Sequence, residues 1–257
     1  MNINKKYYLY KTNRKKMNFI SLSDSSIQKS KHNDCNKCVI IIPYRNREEH
    51  LNIFLSSMKD LNVKILIVEQ DNNKKFNRGW LLNVGFTYYK DKYEKFIFHD
   101  VDSIPSDNLK KFYCYFGKKT IHLAHLPTYK YTFETFFGGI LSISKNLFIK
   151  MNGFPHLEGW GGEDDILYNR YVKYCYNRYK IYKPKKGHYK LLDHSSPTDS
   201  EINENKKKNI LDDLENKNIS GLSNLTYKIK KIINLSPKVL HIKVDYSHIY
   251  PSSNWEN

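Results

Sequence analysis

Apolar positions along the chain follow two periods. Val39-Ile40-Ile41-Ile42 is an unbroken apolar run closed by Pro43, as in a strand buried on both faces. Arg47 to Lys59 spaces Leu51, Phe54, Leu55 and Met58 at helical intervals. Val63 to Glu69 predicts a second strand. Asn77 to Tyr89 predicts a second helix, with Trp80, Leu81, Val84 and Tyr88 on one side, and Lys95 to His99 a third strand. Further along, strands are expected over Phe136–Ser144, Leu225–Ile233 and Val239–Val244, and helices over Asp164–Cys175 and Asn205–Leu214. Strands alternating with helices predict an α/β domain: a mixed, mostly parallel sheet flanked by helices. Residues 1–34 are rich in Lys, Asn and Ser without a clear period. They are expected to form a basic polar tail or loosely attached arm, with 35–257 as one domain.

Composition narrows the picture only a little. Apolar residues make up 40% and aromatics 14% of 257 residues, enough for one sizeable core. The formal charge is +17, but Lys and Asn are spread along the whole chain and form no dense basic stripe, so no nucleic-acid partner is expected. No apolar run is long enough to span a bilayer, and the polar, basic N-terminus lacks the apolar centre of a signal peptide. The expected setting is the cytoplasm. Cys35 and Cys38 have metal-ligand spacing, but no second Cys or His pair completes a zinc site. Free thiols in a reducing compartment are the simpler expectation for Cys35, Cys38, Cys114 and Cys175.

Candidate chemistry sits where the predicted strands end, the usual ligand edge of such sheets. Asp100-Val101-Asp102 follows the third strand directly, and its hard oxygens suit Mn²⁺ or Mg²⁺ bridging phosphates. Asp-x-Asp alone also reads as a solvated turn. Gly159-Trp160-Gly161-Gly162 runs into Glu163-Asp164-Asp165. Helix-dipole compensation accounts for one or two acids there, less readily for three behind a Gly-Trp-Gly-Gly sequence. Pro43-Tyr44-Arg45-Asn46-Arg47 follows the first strand and Phe76-Asn77-Arg78 the second, so both place arginines where phosphates bind. His194, read alone, is an ordinary surface or core histidine.

Taken together, these stretches resemble the β-1,4-galactosyltransferase family, glycosyltransferase family 7, of the GT-A (nucleotide-diphospho-sugar transferase) fold. The resemblance spans about Val39 to Tyr227. It is carried by Ile42 to Leu51, Phe76 to Phe86, Asp100 to Pro105, Phe137-Gly138-Gly139, Asn152-Gly153-Phe154-Pro155, Trp160 to Asp165 and Gly221 to Tyr227, in family order and spacing. It implies that Pro43, Tyr44, Arg45 and Arg47 hold the uridine and phosphates of a UDP-sugar with Phe76 and Arg78, and that Val101 lies at the nucleotide. It implies Asp102 and His194 as Mn²⁺ ligands, Trp160 as a sugar contact on a mobile loop, Glu163, Asp164 and Asp165 lining the donor and acceptor sugars, and Asp164 as the base.

This chain departs from the family pattern in three places. Leu191 stands where the family carries a metal-binding Met. Phe136 replaces a Tyr near the donor sugar's second carbon, so an N-acetyl group would fit. Cys114 matches a family disulfide cysteine whose partner position is Lys95 here. The expected activity is inverting transfer of galactose or N-acetylgalactosamine from a UDP-sugar to a hydroxyl of a glycan acceptor. A different UDP-sugar, or a non-catalytic glycan-binding role, stands as the alternative. Family members usually work in the Golgi lumen.

Overall fold

The computed structural model describes residues 2–17, 19–23, 34–115, 120–124, 135, 137–159, 161–185, 188–193, 204–215 and 220–246. Its elements, in chain order, are α1 (Ile3–Thr12), β1 (Ile20–Leu22), β2 (Cys38–Tyr44), α2 (Glu48–Met58), β3 (Lys64–Gln70), α3 (Arg78–Tyr89), β4 (Lys95–His99), β5 (Ser103–Pro105) and α4 (Asp107–Lys110). There follow β6 (Thr120–His122), β7 (Ile140–Ser144), α5 (Lys145–Lys150), α6 (Glu163–Tyr174), β8 (Ile181–Pro184), β9 (Tyr189–Leu191), α7 (Glu204–Leu214), β10 (Lys228–Ser236) and β11 (Val239–Asp245).

Among the described residues, nine strands form one sheet in the order β1-β8-β6-β7-β4-β2-β3-β11-β10, and β5 pairs with β9 in a separate ribbon. Pairing is parallel at β4-β2-β3-β11 and antiparallel where β7 joins β4 and β6, so the sheet is mixed and mostly parallel as the pattern predicts. Adjacent residues of the central strands enter opposite cores. Val39 and Ile41 pack with Leu66, Val68, Phe96 and Phe98 under α3 and α5, while Ile40 and Ile42 pack with Ile65, Ile67 and Ile97 under α2. This two-sided burial explains why β2 reads as a continuous apolar run rather than an alternation.

Two expectations needed adjusting. The strand foreseen over 136–144 is ordered as a strand from Ile140, and the one foreseen from Leu225 runs over Lys228–Ser236. The N-terminal residues carry α1, whose Tyr7 packs with Leu157, Ile166, Ile210 and Leu211, and β1, which pairs in parallel with β8. Aromatic anchors in a Lys-rich stretch make these contacts, and they leave no periodic trace in the sequence.

The free-thiol expectation is corrected for two of the four cysteines. Cys35 and Cys114 form a disulfide with Cα atoms 4.4 Å apart. The Asp34 amide donates to the Cys114 carbonyl at 3.0 Å, so the two backbones already lie side by side. Cys38 and Cys175 are buried free thiols, and burial pushes each up to about 11.

Candidate active site

The carboxyl ends of β2, β3 and β4 converge with the first turn of α6. At the end of β2, Tyr44 is buried and pairs in register with Glu69, and Pro43 with Val68. Asn46 takes a positive φ of 50°, and Arg47 caps α2, where Glu48 and Glu49 complement the helix dipole. Arg45 donates from Nη1 to the Lys74 carbonyl at 2.7 Å, and its guanidinium lies 5.4 Å from the Phe76 ring centroid. Arg47 Nη1 sits 3.4 Å from His50 Nδ1, and His50 Nε2 sits 3.2 Å from the Asp193 carbonyl.

Gln70, which sequence reasoning passed over, shapes the loop after β3. Its buried amide donates to Asn72 Oδ1 at 2.9 Å and to the carbonyls of Lys74 and Lys75 at 3.2 and 3.0 Å, while its oxygen accepts from the Asn77 amide at 2.8 Å. One side chain thereby sets the loop that presents Phe76 and Arg78. A polar residue closing an apolar strand was its only sequence signal. A cavity of about 680 Å³ opens beside this loop, lined by Arg45, Glu69, Gln70, Asp71 and Lys74 among others.

Asn77 caps α3 by accepting from the Trp80 amide at 3.0 Å, and Arg78 is the first residue of the helix. Glycine at 79 lets this helix end approach the chain ahead of α6. A Cβ there would collide with the Pro155 carbonyl and lie 3.5 Å from Glu163 Cβ. The close approach delivers Arg78 to three acids: Nε bonds Asp100 Oδ1 at 2.6 Å, and Nη1 lies 2.8 Å from Asp164 Oδ1 and 3.4 Å from Glu163 Oε1. Burial alone would lower the Arg78 pKa. The three carboxylates outweigh it and hold the guanidinium charged.

Gly162 caps α6 at φ 97°, a left-handed conformation that turns the chain so that three successive acids form the helix's first turn. Glu163 and Asp165 are buried. Burial lifts the Asp164 carboxyl well above the usual range; Arg78 opposes the shift, and Glu163 and Asp100 add to it. The Phe137 amide donates to the Asp164 carbonyl at 3.3 Å, and the Gly159 amide to the Phe76 carbonyl at 2.8 Å, so both chains flanking this turn are tied to the site. Asp165 faces elsewhere and pairs with Arg14 of the N-terminal arm.

Val101 is buried at the exit of β4. The Asp102 carbonyl accepts from the Leu192 amide at 2.8 Å, and Ser103 pairs with Leu191 across the β5–β9 ribbon. The backbone thus brings Leu191 and Leu192 alongside Asp102 and Ser103. Trp160, Phe136 and His194 lie outside the described residues. Among the described residues, no group of three or more His, Cys, Asp or Glu is gathered as a metal site.

Two family models match. The N-terminal region of glycosyl transferase group 7 matches residues 1–115, and the N-terminal domain of galactosyltransferase matches residues 119–195. Mouse β-1,4-galactosyltransferase 4 is 32% identical over 82% of this chain and 63% of its own length. Mouse β-1,4-galactosyltransferase 1 is 36% identical over 76% of this chain and 52% of its own length. The chain thus spans between half and two thirds of the curated relatives it matches. The catalytic domain of Drosophila β-1,4-galactosyltransferase 7 in complex with xylobiose superposes with a TM-score of 0.68 at 28% identity, covering 81% of this chain and 93% of that one. A mutant of the same domain, in complex with manganese, UDP-Gal and xylobiose, superposes with a TM-score of 0.66 at 27% identity, over the same shares of the two chains. The chain belongs to the group 7 glycosyltransferases, the family of the β-1,4-galactosyltransferases.

Proposed function

We propose that this chain transfers galactose or N-acetylgalactosamine from a UDP-sugar to a hydroxyl of a glycan acceptor, with inversion and with Mn²⁺. The observation that carries the reading is the junction of Arg78 with Asp100, Glu163 and Asp164, which joins the loop after β3, the exit of β4 and the acids of α6 into one site. The Drosophila relative in complex with manganese, UDP-Gal and xylobiose supports the donor and acceptor classes.

In this reading Asp164 accepts the proton of the acceptor hydroxyl as its oxygen attacks the donor's anomeric carbon. The bond from that carbon to the β-phosphate oxygen breaks, and its electron pair leaves with UDP. The raised pKa of Asp164 suits a base that must take up a proton. Arg45, Arg47, Phe76 and Arg78 hold the nucleotide, with Pro43, Tyr44 and Val101 beneath it. A diphosphate would compete with the acids for Arg78, and each contact that it draws away makes Asp164 more basic. Glu163 and Trp160 line the sugars, while Asp165, which the family resemblance also put there, is turned away and taken up by Arg14.

Asp102 and His194 would hold Mn²⁺. The fit rests on a carboxylate–imidazole donor pair that suits this ion, and the Leu192–Asp102 backbone bond that places residue 192 beside Asp102 agrees with it. Leu191, opposite Ser103, adds no ligand. When bound, the ion supplies positive charge to the departing diphosphate.

No helix among the described residues is long and apolar enough to cross a membrane. The Cys35–Cys114 disulfide favours an oxidising compartment, such as a secretory lumen, over the cytoplasm.

A donor screen with UDP-Gal, UDP-GalNAc, UDP-Glc and UDP-GlcNAc, with Mn²⁺ and sugar acceptors, tests the reading through UDP release. Acceptor-dependent release from one of the first two donors is expected, and Asp164→Asn should lower it at least ~10²-fold while UDP still binds. Binding of UDP without turnover of any donor would favour the non-catalytic role.

A further inference from the structure

Arg78 rests against a stretch that is neither helix nor strand, Asn152-Gly153-Phe154-Pro155. Its guanidinium lies over the Phe154 ring, 5.7 Å from the ring centroid. The acids take its N–H groups: Asp100 at Nε, and Asp164 and Glu163 at Nη1. The ring adds the negative face of its π system to the same cation. The Arg78 side chain is only 13% exposed, so this contact is made largely out of water, where it counts most.

Phe154 is itself pinned at both backbone groups. Its amide donates to Asn83 Oδ1 at 3.0 Å, and its carbonyl accepts from Asn83 Nδ2 at 2.8 Å. Asn83 is fully buried and lies on α3, the helix that begins at Arg78. One residue earlier, the Gly153 carbonyl accepts from Arg170 Nη1 at 2.7 Å. Arg170 lies on α6, the helix that carries the acids, and its Nη2 pairs with Asp213 Oδ1 at 2.5 Å. Asn152 and Gly153 shape this turn through positive φ of 58° and 65°. The Phe154 ring is wedged between Phe98 and Phe148, with centroids 5.3 and 5.7 Å away, so it has little room to turn aside. Buried backbone groups outside a helix or strand need partners, and that need alone accounts for a polar side chain at 83. It does not account for where the braces start. One comes from the helix of the cation and the other from the helix of the acids, so Phe154 keeps a fixed place relative to both partners of the Arg78–Asp164 pair.

We infer that Asn152-Gly153-Phe154-Pro155 is a platform for the cation of the candidate site, and that Phe154 is a positioning residue that holds Arg78 in the arrangement serving Asp100 and Asp164. The kinetic consequences rest on the proposed transferase activity; the support of Arg78 by Phe154 does not.

The test places pentafluorophenylalanine at position 154, which keeps the shape of the ring and reverses the charge on its face. The same replacement of Phe86, buried in the same core and on the same helix as Arg78, controls for lost stability. Exchange of the Arg78 Nε proton is measured first by NMR, since it requires no turnover. The fluorinated ring at 154 should speed that exchange roughly 5-fold or more relative to the fluorinated ring at 86. Equal exchange in the two variants overturns the inference whether or not a donor is found. Kinetics follow. Fluorination at 154 should lower kcat/KM for the donor roughly 5-fold and move its acid limb to higher pH, because a looser Arg78 holds the Asp164 pKa down less firmly. Phe154→Leu, compared with Phe86→Leu, should move the limb the same way, whereas a packing role alone leaves it in place. An active wild type whose variants at 154 match those at 86 in kcat/KM and acid limb would overturn the positioning role. An inactive wild type would instead sink the functional reading, with exchange still deciding on Phe154.

Discussion

Arg78 Nη1 lies 2.8 Å from Asp164 Oδ1, so the acid proposed as base is paired with the cation at the start of α3 that is proposed to hold the nucleotide. The same guanidinium holds Asp100 through Nε at 2.6 Å. A planar guanidinium holds its separate N–H groups in a fixed fork toward two carboxylates on different elements; a lysine ammonium, a single point charge, does not reproduce that geometry. Arg78 thereby joins the exit of β4 to the first turn of α6, which in the proposed reading are the donor and acceptor sides of the site.

Arg78→Lys should therefore damage more than nucleotide affinity. Loss of one charge-assisted bond predicts at least about a tenfold fall in kcat/KM for the donor. The pH profile carries the sharper expectation. Arg78 pulls the Asp164 pKa down against burial, so weakening the pair should raise it further and move the acid limb of kcat/KM to higher pH. An acid limb that stays in place would show that this pair does not set the base.

The central sheet and the acids of α6 were legible in the sequence because each is a local pattern. Residues 39–42 are apolar together since neighbours enter opposite cores. Glu163 to Asp165 follow Gly162, whose positive φ opens the helix. What escaped depends on distant partners. The arm is anchored by tyrosines whose contacts lie on α6 and α7, far along the chain. Gln70 acts through the carbonyls of Lys74 and Lys75, which no side-chain pattern reveals. Cys35 and Cys38 share a spacing that suggests one ligand pair, but Cys38 begins β2 and points into the core while Cys35 meets Cys114.

The cysteines allow a direct check. Unfolded without reductant, the chain should titrate two thiols, from Cys38 and Cys175, and four after reduction. The disulfide closes a separation of 79 residues, so the Cys35→Ser, Cys114→Ser double variant should lose about 2–5 kcal/mol, read as a Tm lower by several degrees. Four reactive thiols in unreduced protein would remove both the bond and the argument for an oxidising compartment.

Acid sensitivity should trace in part to His99, which is fully buried between Asp100 and Tyr113. The Asp100 carbonyl, 2.8 Å from Nδ1, can only accept, so Nδ1 carries the proton and Nε2 accepts from the Tyr113 hydroxyl at 2.7 Å. The neutral ring is satisfied on both nitrogens, and burial lowers its pKa from 6.5 to about 4. Between those values the unfolded chain binds a proton that the folded one refuses. Stability is therefore full above about pH 6.5 and falls as pH drops toward 4, by roughly 3 kcal/mol from this group. His99→Gln keeps a donor and an acceptor without titrating, so Tm should fall less steeply over that window than in wild type. His156, also lowered to about 4 by burial and by Arg170, persists in the variant, so the slope should shrink rather than vanish. An unchanged slope would mean that Nε2 is not confined to accepting from Tyr113, and that the ring below Asp100 takes up its proton in the folded protein.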